Sequence, residues 1–490
     1  MNARMEYLPV TADSLAPCLE ALLESGGRMQ MAYVWFPEPD RPEVRYLAAG
    51  DTGAPLQMWI CPAADGCLPS LAISSPLLGW YEREMQDLYG LTFTGHPQPF
   101  PLVAAGAEAP ARLSPRVMQP ALRAPLVLPS IDDPLVQLLN FGPVRADVME
   151  SGQFQFFYLG ESIAHYQPRL FFKHRGMESR FAAMNPLAAT VLAERVSGVG
   201  GVAHALAYCE AVEDAAGCAV PVRARRLRTL LAELERIYNH LHFFGLLADT
   251  TTLKVGQAEG RLLEEDVKQL AGRLTGHRLM HNLLTPGGLR RDLALPDEFA
   301  ATTFRLYDRV KSYLGQLSRT TSYQDRLLGT GPLSREVAFD QGATGPVERA
   351  SGLDRDLRRD HPYAAYGELE VKVAGATAGD AHARAVVRAL ELRESFHVIR
   401  RLLADLPPGD IHADCVIKPD SCGLGWAESP RGSLYYAIHL DAQGRLARVK
   451  IKSPSFSNWR VFPFTVSQSN MMDYAINEAS FGLTIAGCDR

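Results

Sequence analysis

The chain has 490 residues, of which 47% are hydrophobic and 21% charged, a globular composition with room for two or more domains. Its formal net charge of −5 gives no basic footprint for nucleic acid, so we expect no nucleic-acid partner. The N-terminus lacks a basic-then-apolar signal sequence, and no apolar run reaches the roughly 18–20 residues that cross a bilayer. We therefore expect a soluble chain that can still sit on a membrane-embedded partner.

The eight cysteines are sparse, and no two of them fall in a C-x-x-C spacing. This pattern argues against a disulfide-rich secreted fold and against an iron–sulfur cluster or zinc site built by this chain alone. Packed thiols are the default expectation. No glycine-rich phosphate loop follows a strand, so the chain shows no nucleotide site of its own.

Residues 1–96 are predicted to form a small α/β module. Its expected elements are a helix over 12–25 and strands over 29–36 and 56–60. The stretch 97–140 is rich in Pro and Ala without periodicity, which is typical of an extended linker and marks a domain boundary.

Residues 141–490 are predicted to form a second, mainly helical domain with small peripheral sheets, so the fold class is α+β. Apolar repeats at three- and four-residue intervals indicate long helices. They cover 187–216, 222–247, 258–282, 299–317 and 378–403, and a closing helix covers 470–479. Hairpins are expected over 154–165, around Gly160, and over 434–451, around Gly444.

The end of the first module carries W-x-E-R-E-x-x-D-L-x-G-x-x-x-x-G-H-P over residues 80–97. This pattern resembles the end of the 30-kDa subunit of respiratory complex I. A bland alternative is an amphipathic helix with its charges outward and Gly90 as its C-cap.

Ordered motifs along residues 141–490 resemble the family of nickel–iron hydrogenase large subunits and complex I 49-kDa subunits. They include His-Arg-Gly-x-Glu at 174–178, the glycine-rich turn at 194–204, Ser-Pro-Arg-Gly at 429–432 and the Cys-Asp-Arg end. The pattern is most similar to formate-hydrogenlyase-type, energy-converting large subunits, in which a 30-kDa-like module precedes the large domain.

The metal ligands of that family are missing from this sequence. The resemblance places two thiolate positions at Ser197 and Gly200 and two at Thr484 and Gly487, and Cys488 lies one residue out of register. A nickel–iron centre needs soft thiolates. We therefore expect no metal ligand here, no nickel–iron centre and no hydrogen cleavage.

The quinone contacts of complex I are not reproduced residue by residue either. The resemblance implies histidines in the loop at 142–147, which has none, and a tyrosine where Arg195 stands. Quinone binding in a pocket rebuilt around Arg195, Ser197 and Arg431 stays open as an alternative.

Three further residues carry roles by resemblance. Glu178 aligns with a proton-relay glutamate, which would need a raised pKa, or is an ion-paired glutamate. Arg431 aligns with the arginine above the metal and could hold a carboxylate or a substrate oxygen. His204 is either a remnant of the metal surroundings or a buried, hydrogen-bonded histidine. We expect a vacated cavity walled by Arg195, Arg431 and Cys488.

Two charged runs have two interpretations each. Arg223, Arg225, Arg226 and Arg228 form a solvated helix face or a partner surface. The mixed run at 354–360 is a solvated loop or, by resemblance, a subunit-interface loop.

The resemblance implies a redox or coupling subunit of a membrane-associated complex, next to a four-iron–four-sulfur cluster held by a partner. The expected partners are an iron–sulfur small subunit, a ferredoxin-like subunit and antiporter-like membrane subunits. The expected place is the cytoplasmic side of the cell membrane, peripheral through those partners. The alternatives are a quinone-reducing subunit of the NADH-dehydrogenase type, in which NAD is a family trait only, and a non-catalytic assembly scaffold. Whether the chain is itself an enzyme stays open.

Overall fold

The computed structural model describes residues 5–50, 53–103, 133–144, 150–295, 298–467 and 469–490. The N-terminal module begins with a four-stranded sheet of order β1-β4-β3-β2, in which β1 and β4 are parallel and the other pairs antiparallel. Its elements are β1 (Met5–Pro9), α1 (Ala12–Glu24), β2 (Arg28–Glu38), β3 (Arg41–Ala49), β4 (Leu56–Pro62), β5 (Cys67–Pro69), α2 (Gly79–Tyr89) and β6 (Thr92–Thr94).

The α/β prediction for this module is confirmed, although strands β1, β3, β5 and β6 were not predicted. Helix α1 begins where the Thr11 hydroxyl accepts a hydrogen bond from the backbone N–H of Ser14, a capping box. Helix α2 ends at Gly90, whose φ of 72° is left-handed. The alternative of outward charges on α2 is wrong, since Glu82 and Glu84 are buried.

Most of the predicted linker, residues 104–132, lies outside the described residues. Its last part, β7 (Gln137–Phe141), pairs antiparallel with β8 (Gln153–Leu159), which pairs with β9 (Ser162–Arg169). The hairpin predicted around Gly160 is confirmed.

The remaining domain is mainly helical, as predicted. Its helices are α3 (Met177–Arg180), α4 (Thr190–Ala193), α5 (Gly201–Ala216), α6 (Val222–Thr250), α7 (Lys254–Thr275), α8 (Phe299–Arg319), α9 (Thr321–Leu327), α10 (Arg335–Asp340), α11 (Pro346–Ala350), α12 (Leu357–Asp360), α13 (Ala381–Ala404), α14 (Pro454–Val461), α15 (Pro463–Val466), α16 (Tyr474–Phe481) and α17 (Ile485–Asp489). Its further strands are β10 (Leu284–Thr285), β11 (Gly288–Leu289), β12 (Cys422–Ser429), β13 (Gly432–Leu440) and β14 (Leu446–Lys452). Among the residues described, no helix is long and apolar enough to span a bilayer.

Helix α6 is the central element of the second domain. Every residue from Leu227 to Leu241 is buried, so the helix is covered on all sides and not only along its apolar stripe. Its buried charges are paired: Arg228 bonds Glu213 at 2.5 Å, and Arg236 lies 3.3 Å from Glu233. The interpretation of Arg228 as part of a solvated or partner-facing surface is therefore wrong.

The single helix predicted over 187–216 is wrong in its first half. The chain forms α4, leaves the helical path at the glycine-rich turn and starts again as α5. Glycine has a low helix propensity, and the Glu235 carboxylate accepts the first N–H groups of α5, from Val202 and Ala203. A new helix start is thereby fixed directly after the turn.

Helix α5 lies against strand β12 at backbone distance. A Cβ atom on Gly423 would lie 2.1 Å from the carbonyl oxygen of Ala211, and one on Gly425 would lie 2.1 Å from that of Ala207. Only glycine permits this approach, which positions the N-terminus of α5 beside the loop that joins β12 to β13.

Candidate functional site

Two turns from opposite ends of the second domain meet at one cavity. The first precedes α5 and the second precedes and includes the short helix α17. The residues that the sequence singled out and that line the cavity are Ser197, Gly200, His204, Arg431, Thr484 and Gly487. The cavity is small: its volume of about 10 Å³ gives room for roughly one water molecule.

Arg175 joins the two turns. Its Nη2 nitrogen donates to the carbonyl oxygens of Val196 at 2.5 Å and Ala486 at 3.1 Å, the residues just before Ser197 and Gly487. Burial lowers the pKa of Arg175. From the sequence this arginine was visible only as one letter of His-Arg-Gly-x-Glu, and its place in that motif was the available signal.

Arg431 reaches the cavity from the β12–β13 loop. Its Nε donates to the Gly482 carbonyl at 2.7 Å, and its Nη1 donates to Asn239 Oδ1 at 2.6 Å and to the Val199 carbonyl at 3.4 Å. Within the described part of the chain, no carboxylate lies within 4 Å of it. Burial lowers the pKa of Arg431 to about 10, so the group is still cationic at neutral pH.

His204 is the buried, hydrogen-bonded histidine of the second interpretation. Its Nδ1 lies 2.8 Å from the Tyr436 hydroxyl, and the residue is 3% exposed. Burial, with the nearby Arg175, lowers the pKa of His204 to about 3. The ring is therefore neutral at physiological pH and supplies no positive charge to the cavity.

Glu235 was missed by sequence reasoning, although it lies in a Leu-Ala-Glu-Leu-Glu-Arg stretch at 231–236 that follows the same family pattern. Its carboxylate accepts hydrogen bonds from Val202 N at 2.8 Å, Ala203 N at 2.9 Å and the Tyr238 hydroxyl at 3.3 Å. Burial raises the pKa of Glu235 to about 7. This carboxyl lies directly behind the glycine-rich turn.

Glu178 lies in a separate cluster of charges. Its carboxylate is 3.0 Å from Arg448, 3.2 Å from Lys450 and 3.5 Å from Arg490, and it accepts the Ile451 N–H at 3.1 Å. Burial opposes ionisation, but these cations outweigh it and lower the pKa of Glu178 to about 2. Glu178 is thus ion-paired in the folded chain, and its pKa is lowered and not raised.

Two residues expected to wall the cavity do not line it. The Arg195 side chain is 54% exposed, donates to the Val191 carbonyl at 2.7 Å and lies 3.5 Å from Glu194. Cys488 is fully buried, and burial raises the pKa of its thiol well above the usual value.

The residues at the cavity do not fit a nickel–iron centre. The four positions that the resemblance assigns to the metal ligands offer two hydroxyls and two glycines, and no sulfur atom of the described residues lines the cavity. A Cβ on Gly487 would lie 2.6 Å from Thr484 Oγ1, so even the space for a side chain is restricted there. Across the part of the chain that the structure describes, no group of three or more His, Cys, Asp or Glu side chains could hold a metal ion.

The charge runs resolve into internal contacts. Arg225 and Arg226 both pair with Glu368, at 2.8 and 3.2 Å. Of the run at 354–360, Asp356 and Arg358 are each 1% exposed, so that part is neither a solvated loop nor an open interface.

Comparison with known families gives three matches in chain order. Residues 9–112 match the respiratory-chain NADH dehydrogenase 30 Kd subunit, residues 175–251 the nickel-dependent hydrogenases, and residues 261–421 and 416–490 the NADH dehydrogenase 49 Kd subunit. Formate hydrogenlyase subunit 5 of Escherichia coli K12 is 32% identical over 422 residues, covering 83% of this chain and 74% of the relative. The chain belongs to the hydrogenase large-subunit and complex I 49-kDa family.

Other family members support the same fusion and fold. The NADH-quinone oxidoreductase C/D polypeptide of Cereibacter sphaeroides is 28% identical over 481 residues, covering 87% of this chain and 83% of the relative. A component of the membrane-bound sulfane sulfur reductase, described as an archaeal respiratory membrane complex, superposes with a TM-score of 0.69. It is 26% identical and covers 74% of this chain and all of its own. The family and fold predicted from the motifs are confirmed.

Proposed function

We propose that this chain is a nickel-free coupling subunit of a membrane-associated oxidoreductase complex. The observation that carries the proposal is the donor set of the small cavity between the two turns: Ser197, Gly200, Thr484 and Gly487 offer hydroxyls and backbone but no thiolate. A protein of this family that retains both turns but lacks the thiolates would take its redox chemistry from partner subunits. The sulfane sulfur reductase shows that family members occur in respiratory membrane complexes named for a substrate other than hydrogen.

The partners we propose are an iron–sulfur small subunit with a four-iron–four-sulfur cluster, a ferredoxin-like subunit and antiporter-like membrane subunits. The chain would lie on the cytoplasmic side of the membrane and attach through them. The cation of Arg431, held by neutral acceptors, would face the partner's cluster from the family's catalytic position.

Within such a complex the chain's own residues can hold the two turns together and place a fixed positive charge. Arg175 ties the turns through their carbonyls, and Glu235 fixes the start of α5. Quinone reduction in this cavity would require the turns to separate, because a cavity for one water has no room for a six-membered ring. We therefore place any acceptor site outside this cavity.

A second candidate function, a non-catalytic assembly scaffold, is favoured by one specific observation. The Arg431 guanidinium makes three hydrogen bonds to protein acceptors, which a purely structural arginine would also make. The two functions differ in whether the charge of Arg431 matters to electron transfer.

The test is purification of the tagged chain from its native host. Our proposal predicts iron–sulfur and antiporter-like subunits in the purified complex, and a chain that purifies alone would overturn it. In that complex, the clusters are reduced with dithionite and then reoxidised with a soluble quinone, a sulfane-sulfur compound or protons. Arg431→Gln should slow this reoxidation about tenfold or more, because a loss of roughly 1.4 kcal/mol of electrostatic stabilisation corresponds to a factor of ten in rate. Arg195→Gln is the matched control. Normal assembly with unchanged rates in both variants would select the scaffold.

A further inference from the structure

A second, larger cavity lies between the N-terminal sheet and the second domain. Its volume of about 70 Å³ gives room for several water molecules. Strands β2 and β3 supply one wall, through Arg28 and Ala49, and the second domain supplies the other, through Glu348, Glu428 and Ser433. Most of its lining residues are polar or charged, so the cavity is suited to water.

Glu428 belongs to a buried cluster that contains more carboxylates than cations. Among the described residues, Glu233, Asp356, Glu391 and Glu428 lie within 4 Å of only three guanidinium groups, those of Arg236, Arg349 and Arg358. His240 adds no charge at neutral pH, because burial lowers its pKa to about 4. One carboxylate of the cluster is thus uncompensated. Of these four carboxylates, Glu428 and Asp356 line the cavity. Glu428 pairs with Arg349 at 2.9 Å.

Lys452 is a buried basic group near Glu428. It lies on β14, which is separated from the strand of Glu428, β12, by β13. It is 2% exposed, and its Nζ donates to Ser433 Oγ at 2.5 Å and to the Ser433 carbonyl at 3.2 Å. Its Nζ also lies 5.2 Å from the centre of the Tyr435 ring. No carboxylate of the described residues lies within 4 Å of it. A buried ammonium without a counter-ion is costly, so the neutral amine is favoured.

Ser433 connects the two groups. It is the register partner of Glu428 across β12 and β13, so the two side chains lie on the same face of the sheet. Its hydroxyl contacts Lys452 and lies 2.6 Å from Thr344 Oγ1. Ser433, Thr344 and Glu428 all line the cavity, so hydroxyls and water can form one hydrogen-bonded path between the carboxyl and the amine.

We propose that this cavity is a proton-binding site, in which Glu428 and Lys452 share protons through Ser433 and cavity water. In the exchange, the Glu428 carboxylic acid gives its proton to the neutral Lys452 amine, forming carboxylate and ammonium. Net uptake or release takes a proton from, or returns one to, water in the cavity. The site is separate from the cavity at Arg431 and does not depend on the function proposed above.

The surrounding charges are consistent with titration near neutral pH. Burial, then Asp356, raises the pKa of Glu428 to about 7, and burial, then Arg28, lowers the pKa of Lys452 to about 7. The charged groups that face Glu428 are Asp356, Arg349, Arg358 and Arg236, and those that face Lys452 are Arg28, Glu348, Glu428 and Arg460.

Infrared titration of the full-length chain from pH 5 to 9 tests the proposal through the carbonyl stretch of protonated carboxylic acids. Burial also raises the pKa values of Glu82 and Glu235 to about 7, so the Glu428 band is obtained as the difference between the wild type and Glu428→Gln. That difference should contain a glutamic acid band with a midpoint near pH 7. Lys452→Met should raise that midpoint by about one pH unit, because the ammonium no longer favours the carboxylate. Lys452→Arg, which keeps the positive charge, should not raise it.

Glu82→Gln provides the matched control. Glu82 is a buried carboxyl in the N-terminal module whose pKa burial also raises to about 7, and its band should be insensitive to Lys452→Met. If Glu428→Gln fails to fold, Glu428→Asp replaces it in protein whose glutamates carry ¹³C. The band at position 428 should then lose the isotope shift of the labelled glutamates, because an unlabelled aspartic acid produces it. A wild-type minus Glu428→Gln difference without a band that titrates near pH 7, or a Glu428 midpoint that Lys452→Met leaves unchanged, would overturn the proposal.

Discussion

The Nη1 nitrogen of Arg431 donates to Asn239 Oδ1 at 2.6 Å, so this cation is held by an amide and not by a carboxylate. Its Nε donates to the carbonyl of Gly482, just before the turn that carries Thr484. This single side chain therefore links α6, the β12–β13 loop and the C-terminal turn.

Removing the Arg431 side chain should destabilise the protein. Arg431→Ala leaves the buried acceptors on Asn239 and Gly482 without their donor, which costs about 1–3 kcal/mol per group in the free energy of unfolding. Urea unfolding followed by circular dichroism measures the effect. Arg195→Ala is the control, since that side chain is mostly exposed, and its effect should stay within about 0.5 kcal/mol. Equal effects of the two variants would contradict a structural role for the Arg431 hydrogen bonds.

The cluster around Glu178 predicts a pH-dependent loss of stability. The pKa of Glu178 is lowered from 4.5 to about 2 in the folded protein, so its ionised form stabilises the fold above the unfolded pKa and this stabilisation is lost as pH falls towards 2. The contribution at pH 7 is on the order of 3 kcal/mol. Glu178→Gln should therefore lower the free energy of unfolding strongly at pH 7, and its difference from the wild type should shrink between pH 5 and pH 3.

The comparison is made by urea unfolding at each pH. Glu38→Gln serves as control, because the Glu38 side chain is 61% exposed and its pair with Arg41 is at the surface. A Glu178→Gln effect of the same size at pH 7 and pH 3 would show that the ion cluster is not what stabilises this region.

The close packing of α5 on β12 predicts a large effect of one methyl group. In Gly425→Ala the new Cβ would lie 2.1 Å from the carbonyl oxygen of Ala207, so helix and strand must separate. We expect a loss of about 1–3 kcal/mol or more, measured by thermal or urea unfolding. Gly198→Ala, in the neighbouring turn where the Cβ meets nothing within 4 Å, should be close to neutral. If Gly425→Ala is as stable as Gly198→Ala, helix α5 does not pack on β12 at backbone distance.

The local elements of this fold could be predicted because their signals are local. The hairpins at Gly160 and Gly444, and helices α6 and α8, follow from turn residues and apolar periodicity within one stretch of chain. Apolar periodicity gave a wrong prediction at the glycine-rich turn, where it continues although the helix ends and a new one begins. The carboxylate that fixes the new start belongs to Glu235, about thirty residues along the chain, so no local pattern indicates it.

The motifs indicated which turns meet but not what holds them. Ser197, Gly200, Thr484 and Gly487 were brought to one cavity by resemblance, and the structure places them there. The partners of Glu178 lie some 270 or more residues along the chain, so its lowered pKa could not be read from sequence. A charged run such as 354–360 looks solvated until its buried counter-ions are known.

The most direct measurement is the nickel and iron content of the complex purified from the native host through this chain, by mass spectrometry of the elements. We predict iron from partner clusters and no stoichiometric nickel, because Ser197, Gly200, Thr484 and Gly487 offer no thiolates. One nickel per chain, retained after gel filtration, would contradict the nickel-free coupling role.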